Sequence, residues 1–168
     1  VVSKSVSILG PNANVDPCSG IRAAEAIIFS GLSSVSTAEI FHVAASNVTI
    51  QGFTIDGDNT TLMSGYLGTN GADLDAAEGV TVYETGVNNL KVSNNIFQNL
   101  SYFGVTLYDF PAAIPSSGHL IENNKFPISS GEAATEEAAK QVFNILQSQV
   151  TYSSTKTEKK TSEAPNIV

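Results

Sequence analysis

Short runs of alternating apolar and polar residues recur along the chain as far as Phe126, and such alternation is the periodicity of a strand. The clearest runs come as copies. Gly79-Val80-Thr81-Val82-Tyr83-Glu84 returns as Gly104-Val105-Thr106-Leu107-Tyr108-Asp109, 25 residues on. Leu90-Lys91-Val92-Ser93-Asn94-Asn95-Ile96-Phe97 returns as His119-Leu120-Ile121-Glu122-Asn123-Asn124-Lys125-Phe126, 29 residues on. Earlier copies, Val48 to Ile55 and a fainter Val6 to Gly10, are each set 42 residues further back. A repeat of roughly 20–30 residues built from short strands predicts a solenoid. Alignment of the copies puts Ile8, Ile50, Val92 and Ile121 in one inward column, with Ser7, Thr49, Lys91 and Leu120 in the outward column beside it. Asn94 and Asn123 end their strands at the same place, where an asparagine takes the left-handed conformation and pairs its amide with the next copy. The connections are too short for helical crossovers, so parallel stacking requires the chain to coil.

The remaining elements follow from the same pattern. Pro11 to Gly20 is dense in turn residues and predicts a loop. Ala23-Ala24-Glu25-Ala26 favours helix, but the repeat favours a strand over Ala26 to Phe29, and further strands are predicted at Glu39 to Val43 and Asn47 to Ile55. Asp56 to Glu78 interrupts the repeat and predicts a surface excursion, because loops of this length are uncommon without a role. Phe110 to Gly118 predicts a smaller one. Beyond Phe126 the pattern changes: Ser130 to Leu146 has an acidic first turn and an apolar stripe through Val142, Phe143 and Leu146, which predicts a capped helix. The expected organisation is a solenoid over 1–126, a capping helix region over 127–150 and a flexible polar tail over 151–168.

The repeated strand, Asn-Asn, strand pattern resembles the right-handed parallel β-helix proteins of the pectin-lyase-like superfamily, above all the β-helix segments of large secreted or surface bacterial proteins. The resemblance covers Val1 to Phe126. It implies an all-β, right-handed parallel β-helix of four to five rungs, here followed by a C-terminal α-helix, and a secreted or cell-surface location. It does not imply one activity, since the architecture hosts several.

Composition narrows the partners. Only 14% of the 168 residues are charged, and the formal charge of −8 with a pI near 4.5 argues against nucleic acid or an anionic membrane surface. No apolar run approaches the ~20 residues of a membrane helix. The single cysteine, Cys18, excludes an internal disulfide and reads as an inert thiol. Val1 to Ser5 has no signal-peptide apolar region and starts in a strand, so the chain reads as a mature product or an excised fragment. An open first rung then predicts self-association or packing against an adjoining domain.

Two groups of residues carry candidate chemistry. Phe41-His42, Tyr83-Glu84 and Tyr108-Asp109 match in the repeat, so that His42, Glu84 and Asp109 would form one column at about 4.8 Å per rung. Carboxylates that close share a proton, bind a cation, or act as an acid and nucleophile pair. An outward polar column demanded by alternation is the plainer explanation. The excursion holds Asp56, Asp58, Asp73, Asp75 and Glu78, hard oxygen ligands of the kind Ca²⁺ takes, although their spacing matches neither an EF-hand nor the calcium nonapeptide. Asp is also an ordinary turn residue.

Catalytic members of the resembled superfamily cleave acidic polysaccharides, by Ca²⁺-assisted elimination with a basic proton acceptor or by hydrolysis with aspartates. For the first, Lys91 is the one basic residue between rungs. For the second, Asn59-Thr60-Thr61 stands where an Asn-Thr-Asp motif is needed. Tyr66, Tyr83, Tyr102 and Tyr108 among many Ser, Thr and Asn suit sugar recognition by stacking. The expectation is therefore a non-catalytic structural or adhesive module that binds polysaccharide or glycan. The alternative is a polysaccharide lyase or glycoside hydrolase using His42, Glu84, Asp109 and Lys91.

Overall fold

The structure, a computed structural model, describes residues 1–108 and 116–126 and the backbone of Phe143–Leu146. These residues are all-β, with no helix among them, and their strands form three parallel sheets. The first sheet runs β1 (Val6–Leu9), β4 (Val48–Gln51), β7 (Lys91–Ser93), β10 (Leu120–Glu122). The second runs β2 (Ile27–Phe29), β5 (Thr54–Asp56), β8 (Ile96–Gln98). The third runs β3 (Ser34–His42), β6 (Ala76–Val82), β9 (Leu100–Tyr108), β11 (Phe143–Leu146). Each sheet therefore gains one strand before the chain moves to the next.

The inward column expected from the repeat is present in register, Ile8 beside Ile50, Ile50 beside Val92 and Val92 beside Ile121. Ile50 and Val92 are fully buried, and Ile55 with Phe97 from the second sheet and Val80 with Val105 from the third meet them in one core. At roughly 1.5–3 kcal/mol for each buried side chain of this size, the column is a main source of stability. Phe97 and Phe126 stack at 5.0 Å and extend the core toward the last described turn.

Corners are set by residues that tolerate positive φ. Gly52 (φ 82°), Asn94 (φ 57°) and Asn123 (φ 51°) occupy equivalent places after the strands of the first sheet. At Gly52 a Cβ would strike the backbone of Asn12 and Ala13, so only glycine fits. Asn47 and Asn89, before β4 and β7, repeat the device (φ 59° and 57°), and Asn89 Nδ2 donates to Asn47 Oδ1 at 2.9 Å. The Asn94 amide does reach an earlier turn, donating to Ala13 O at 2.6 Å, but the asparagine-to-asparagine ladder after β7 and β10 runs through the second residue of each pair. Asn95 Nδ2 donates to Asn124 Oδ1 (3.1 Å) and Ile50 O (3.0 Å), and Asn124 Nδ2 donates to Val92 O (2.8 Å). The first asparagine supplies the turn, which leaves the second aimed inward.

Several boundaries differ from expectation. Asn47 to Ile55 is two strands in different sheets, because Gly52 turns the backbone. The strand expected from Gly79 begins at Ala76, so Glu78 lies in β6 and the excursion ends before it. The helix expected over Ser130 to Leu146 fails at its end: Phe143–Leu146 is a strand, with Phe143 paired to Val105. Phe-Asn-Ile-Leu alternates, and the edge of β9 offers it unpaired backbone groups. The rest of the 127–150 region, the 151–168 tail and residues 110–115 of the second protrusion lie outside the described residues.

Candidate functional site

Two places gather polar or aromatic side chains. The first is the third sheet, where Thr81 and Thr106 alternate with the inward Val80, Val82, Val105 and Leu107. Glu39 Oε2 accepts from Thr81 Oγ1 (2.6 Å) and lies 2.7 Å from His42 Nδ1. His42 Nε2 is 2.6 Å from Glu84 Oε1. Both ring nitrogens thus face carboxylates, an arrangement that fits the imidazolium, which donates from each. Burial opposes that charge, but the hydrogen bonds to Glu84 and Glu39 outweigh it and hold the His42 pKa above its ordinary value. Glu78 accepts from Thr106 Oγ1 (2.7 Å) and from the Tyr83 hydroxyl. Burial first, and then Glu78, push the Tyr83 pKa up.

The structure brings His42 and Glu84 together, but not by the register the repeat suggested. His42 pairs with Thr81 and Phe41 with Val80, because β3 absorbs extra residues between the Ser34–Ala76 and Glu39–Glu78 pairs. The His42 side chain reaches Glu84 beyond the end of β6. Asp109 lies outside the described residues. Lys91 is on the first sheet, not the third, and pairs with Glu122 at 3.4 Å.

Of the acidic residues assigned to calcium, Asp56, Asp73, Asp75 and Glu78 go to separate partners, while Asp58 contributes its backbone N–H to Asp56. Asp56 accepts from Gln98 Nε2 (2.7 Å), Asn99 Nδ2 (2.8 Å) and the Asp58 amide (3.0 Å). Asp75, fully buried, accepts from Ser33 Oγ (2.5 Å) and the Asn59 amide (3.1 Å). Asp73 accepts from the Ser64 hydroxyl, the bond that leads the causes lowering its pKa. Glu78 belongs to the Tyr83 and Thr106 cluster. Among the described residues no three His, Cys, Asp or Glu side chains converge as a metal site.

The second place is a groove of about 520 Å³ between the excursion and the turn from β8 to β9. Tyr66, Leu67, Asn70 and Leu74 line one wall, and Gln98, Asn99, Leu100 and Ser101 the other. Among the described residues no charged side chain lines it. Tyr66 and Leu67 are largely exposed, 58% and 66%. The excursion wall is a small hairpin, with Leu67 bridged to Asp73 and Leu74 N donating to Tyr66 O at 2.8 Å. Asp75 and Asp56 tie its roots to the sheets, so the groove is preformed.

Sequence reasoning found the excursion through its length and flagged Tyr66, but missed Gln98 to Ser101. Their role depends on packing between segments 29 residues apart, as in the Asn70–Asn99 bond, and no local pattern carries it. Comparison of the chain with protein-family models, with characterised proteins and with solved structures gives no match.

Proposed function

We propose that this chain is a non-catalytic, right-handed parallel β-helix module of a secreted or cell-surface protein, which binds a neutral glycan in the groove beside the excursion. The observation that carries this reading is the groove's lining. An exposed tyrosine at the rim, apolar leucines on both walls and a row of amides and hydroxyls without any charge match a sugar's apolar ring face and hydroxyl edge. An anionic polymer would find no cation among the described residues of the groove and a formal charge of −8 overall. The in-register columns support the coil, and stacked parallel strands make a stiff spacer.

The enzymatic alternative rests on the His42–Glu84 contact. The engaged state of both imidazole nitrogens weighs against it, because neither is left to exchange a proton with a substrate. A binding and turnover screen over neutral and acidic polysaccharides tests both readings. The expected result is binding of a neutral glycan, weakened at least tenfold by Tyr66→Ala, with no turnover. Turnover that disappears in Glu84→Gln with folding intact would replace this reading with the enzymatic one.

A further inference from the structure

Asn70 and Gly71 form the chain's single Asn-Gly pair and sit at the exposed tip of the groove hairpin. Gly71 has φ +84° and open space around it, and its amide is held only by Gly68 O at 2.9 Å. A glycine on the carboxyl side leaves the following peptide nitrogen unhindered. The Asn70 side chain is also the end of a polar chain whose direction is fixed. Asp56 Oδ1 can only accept, so Asn99 presents its NH₂ to Asp56 (2.8 Å) and its carbonyl oxygen toward Asn70. Asn70 must therefore donate, and its Nδ2 does so to Asn99 Oδ1 at 2.8 Å.

We infer that Asn70 is a spontaneous deamidation site that reshapes the groove irreversibly with age. The Gly71 nitrogen attacks Asn70 Cγ, a C–N bond forms and ammonia leaves, giving a succinimide. Water then opens the ring at either carbonyl, giving aspartate or isoaspartate. The aspartate product puts a carboxylate oxygen where the NH₂ was, opposite the Asn99 carbonyl, and the isoaspartate product, whose former side-chain carbonyl becomes the peptide link to Gly71, loses the NH₂ donor altogether. Asn99 cannot turn over to donate without breaking its bond to Asp56. In the aspartate product two acceptors face each other across the groove, and in both products the hairpin tip loses its bond to Asn99 while Asp75 still holds the root of the excursion. The isoaspartate product also adds a methylene to the backbone of the tip.

The chemistry stands apart from any ligand, and its effect on sugar binding rests on the reading above. The test therefore uses readouts that need no sugar. The intact chain is aged in mildly alkaline buffer and mapped by peptide mass and by isoaspartate-specific methylation. Asn70 is expected to lose its amide ahead of every other exposed asparagine, and Gly71→Ala to reduce its loss to their level. Survival of Asn70 while others react, or an unchanged rate in Gly71→Ala, would overturn the site. Separately, Asn70→Asp is expected to speed hydrogen exchange across residues 66–74 relative to the unmodified chain. Exchange equal to that of the unmodified chain would overturn the proposed reshaping.

Discussion

Replacing Asn95 by alanine removes a side chain that joins the turns at Ile50–Phe53 and at Asn124. Asn95 is fully buried, its Oδ1 accepts from the Phe53 amide at 3.0 Å, and its Nδ2 donates to Ile50 O at 3.0 Å. Phe53 is 8% exposed and Ile50 0%, so water cannot replace either bond. An orphaned buried N–H costs about 1–3 kcal/mol, and an under-satisfied carbonyl less, because it has a second lone pair. The loss for Asn95→Ala is therefore about 2–4 kcal/mol, a large part of a domain stability of roughly 5–15 kcal/mol. Asn123→Gly serves as the contrast. That residue is exposed and only supplies a positive φ of 51°, which glycine adopts freely, so its cost is within about 0.5 kcal/mol. Urea unfolding followed by circular dichroism measures both, and a shifted midpoint with unchanged slope identifies a change of stability. In the same variant the Phe53 amide should lose its hydrogen-exchange protection. A midpoint for Asn95→Ala within error of the unsubstituted chain would refute the ladder as a structural element.

His42 has a raised pKa, so the stability from its contacts with Glu39 and Glu84 is complete below its ordinary value, about 6.5, and is lost as pH rises through the folded value. Both contacts are partly exposed and worth roughly 0.5–1 kcal/mol, so a thermal midpoint that falls over this window should become flatter in His42→Gln. Gly52→Ala forces a Cβ onto the backbone of Asn12 and Ala13 at φ +82° and should cost at least about 2 kcal/mol by urea unfolding. Calcium should leave the thermal midpoint unchanged, since Asp56, Asp73 and Asp75 are engaged separately; a rise with calcium that chelator reverses would contradict this.

The sheets were legible in the sequence where geometry is local. Ile8, Ile50, Val92 and Ile121 share a column because strand alternation and turn length repeat together, so copying one segment onto the next recovers the register. Legibility failed where a strand absorbs extra residues. The bulge in β3 moved His42 from Glu84 to Thr81 in the ladder, and nothing in Ser34 to Glu39 marks where extra residues go. It failed also at Asn94-Asn95, where two like residues divide turn and ladder between them by position alone. At Phe143–Leu146, helix propensity and an acidic first turn argued for one element and an open sheet edge for another, and the edge is not visible from the segment itself. The groove was half legible: the length of the excursion announced it, while the wall it packs against did not.

The proposed occupant of the groove beside the excursion is a neutral glycan. The most direct test is a titration of isotopically labelled protein with a neutral oligosaccharide, followed by amide chemical shifts. Saturable shifts are expected at Tyr66 to Asn70, Leu74 and Gln98 to Ser101, lost in Tyr66→Ala. Shifts centred instead on Glu39, His42 and Glu84, with the groove unmoved, would contradict it.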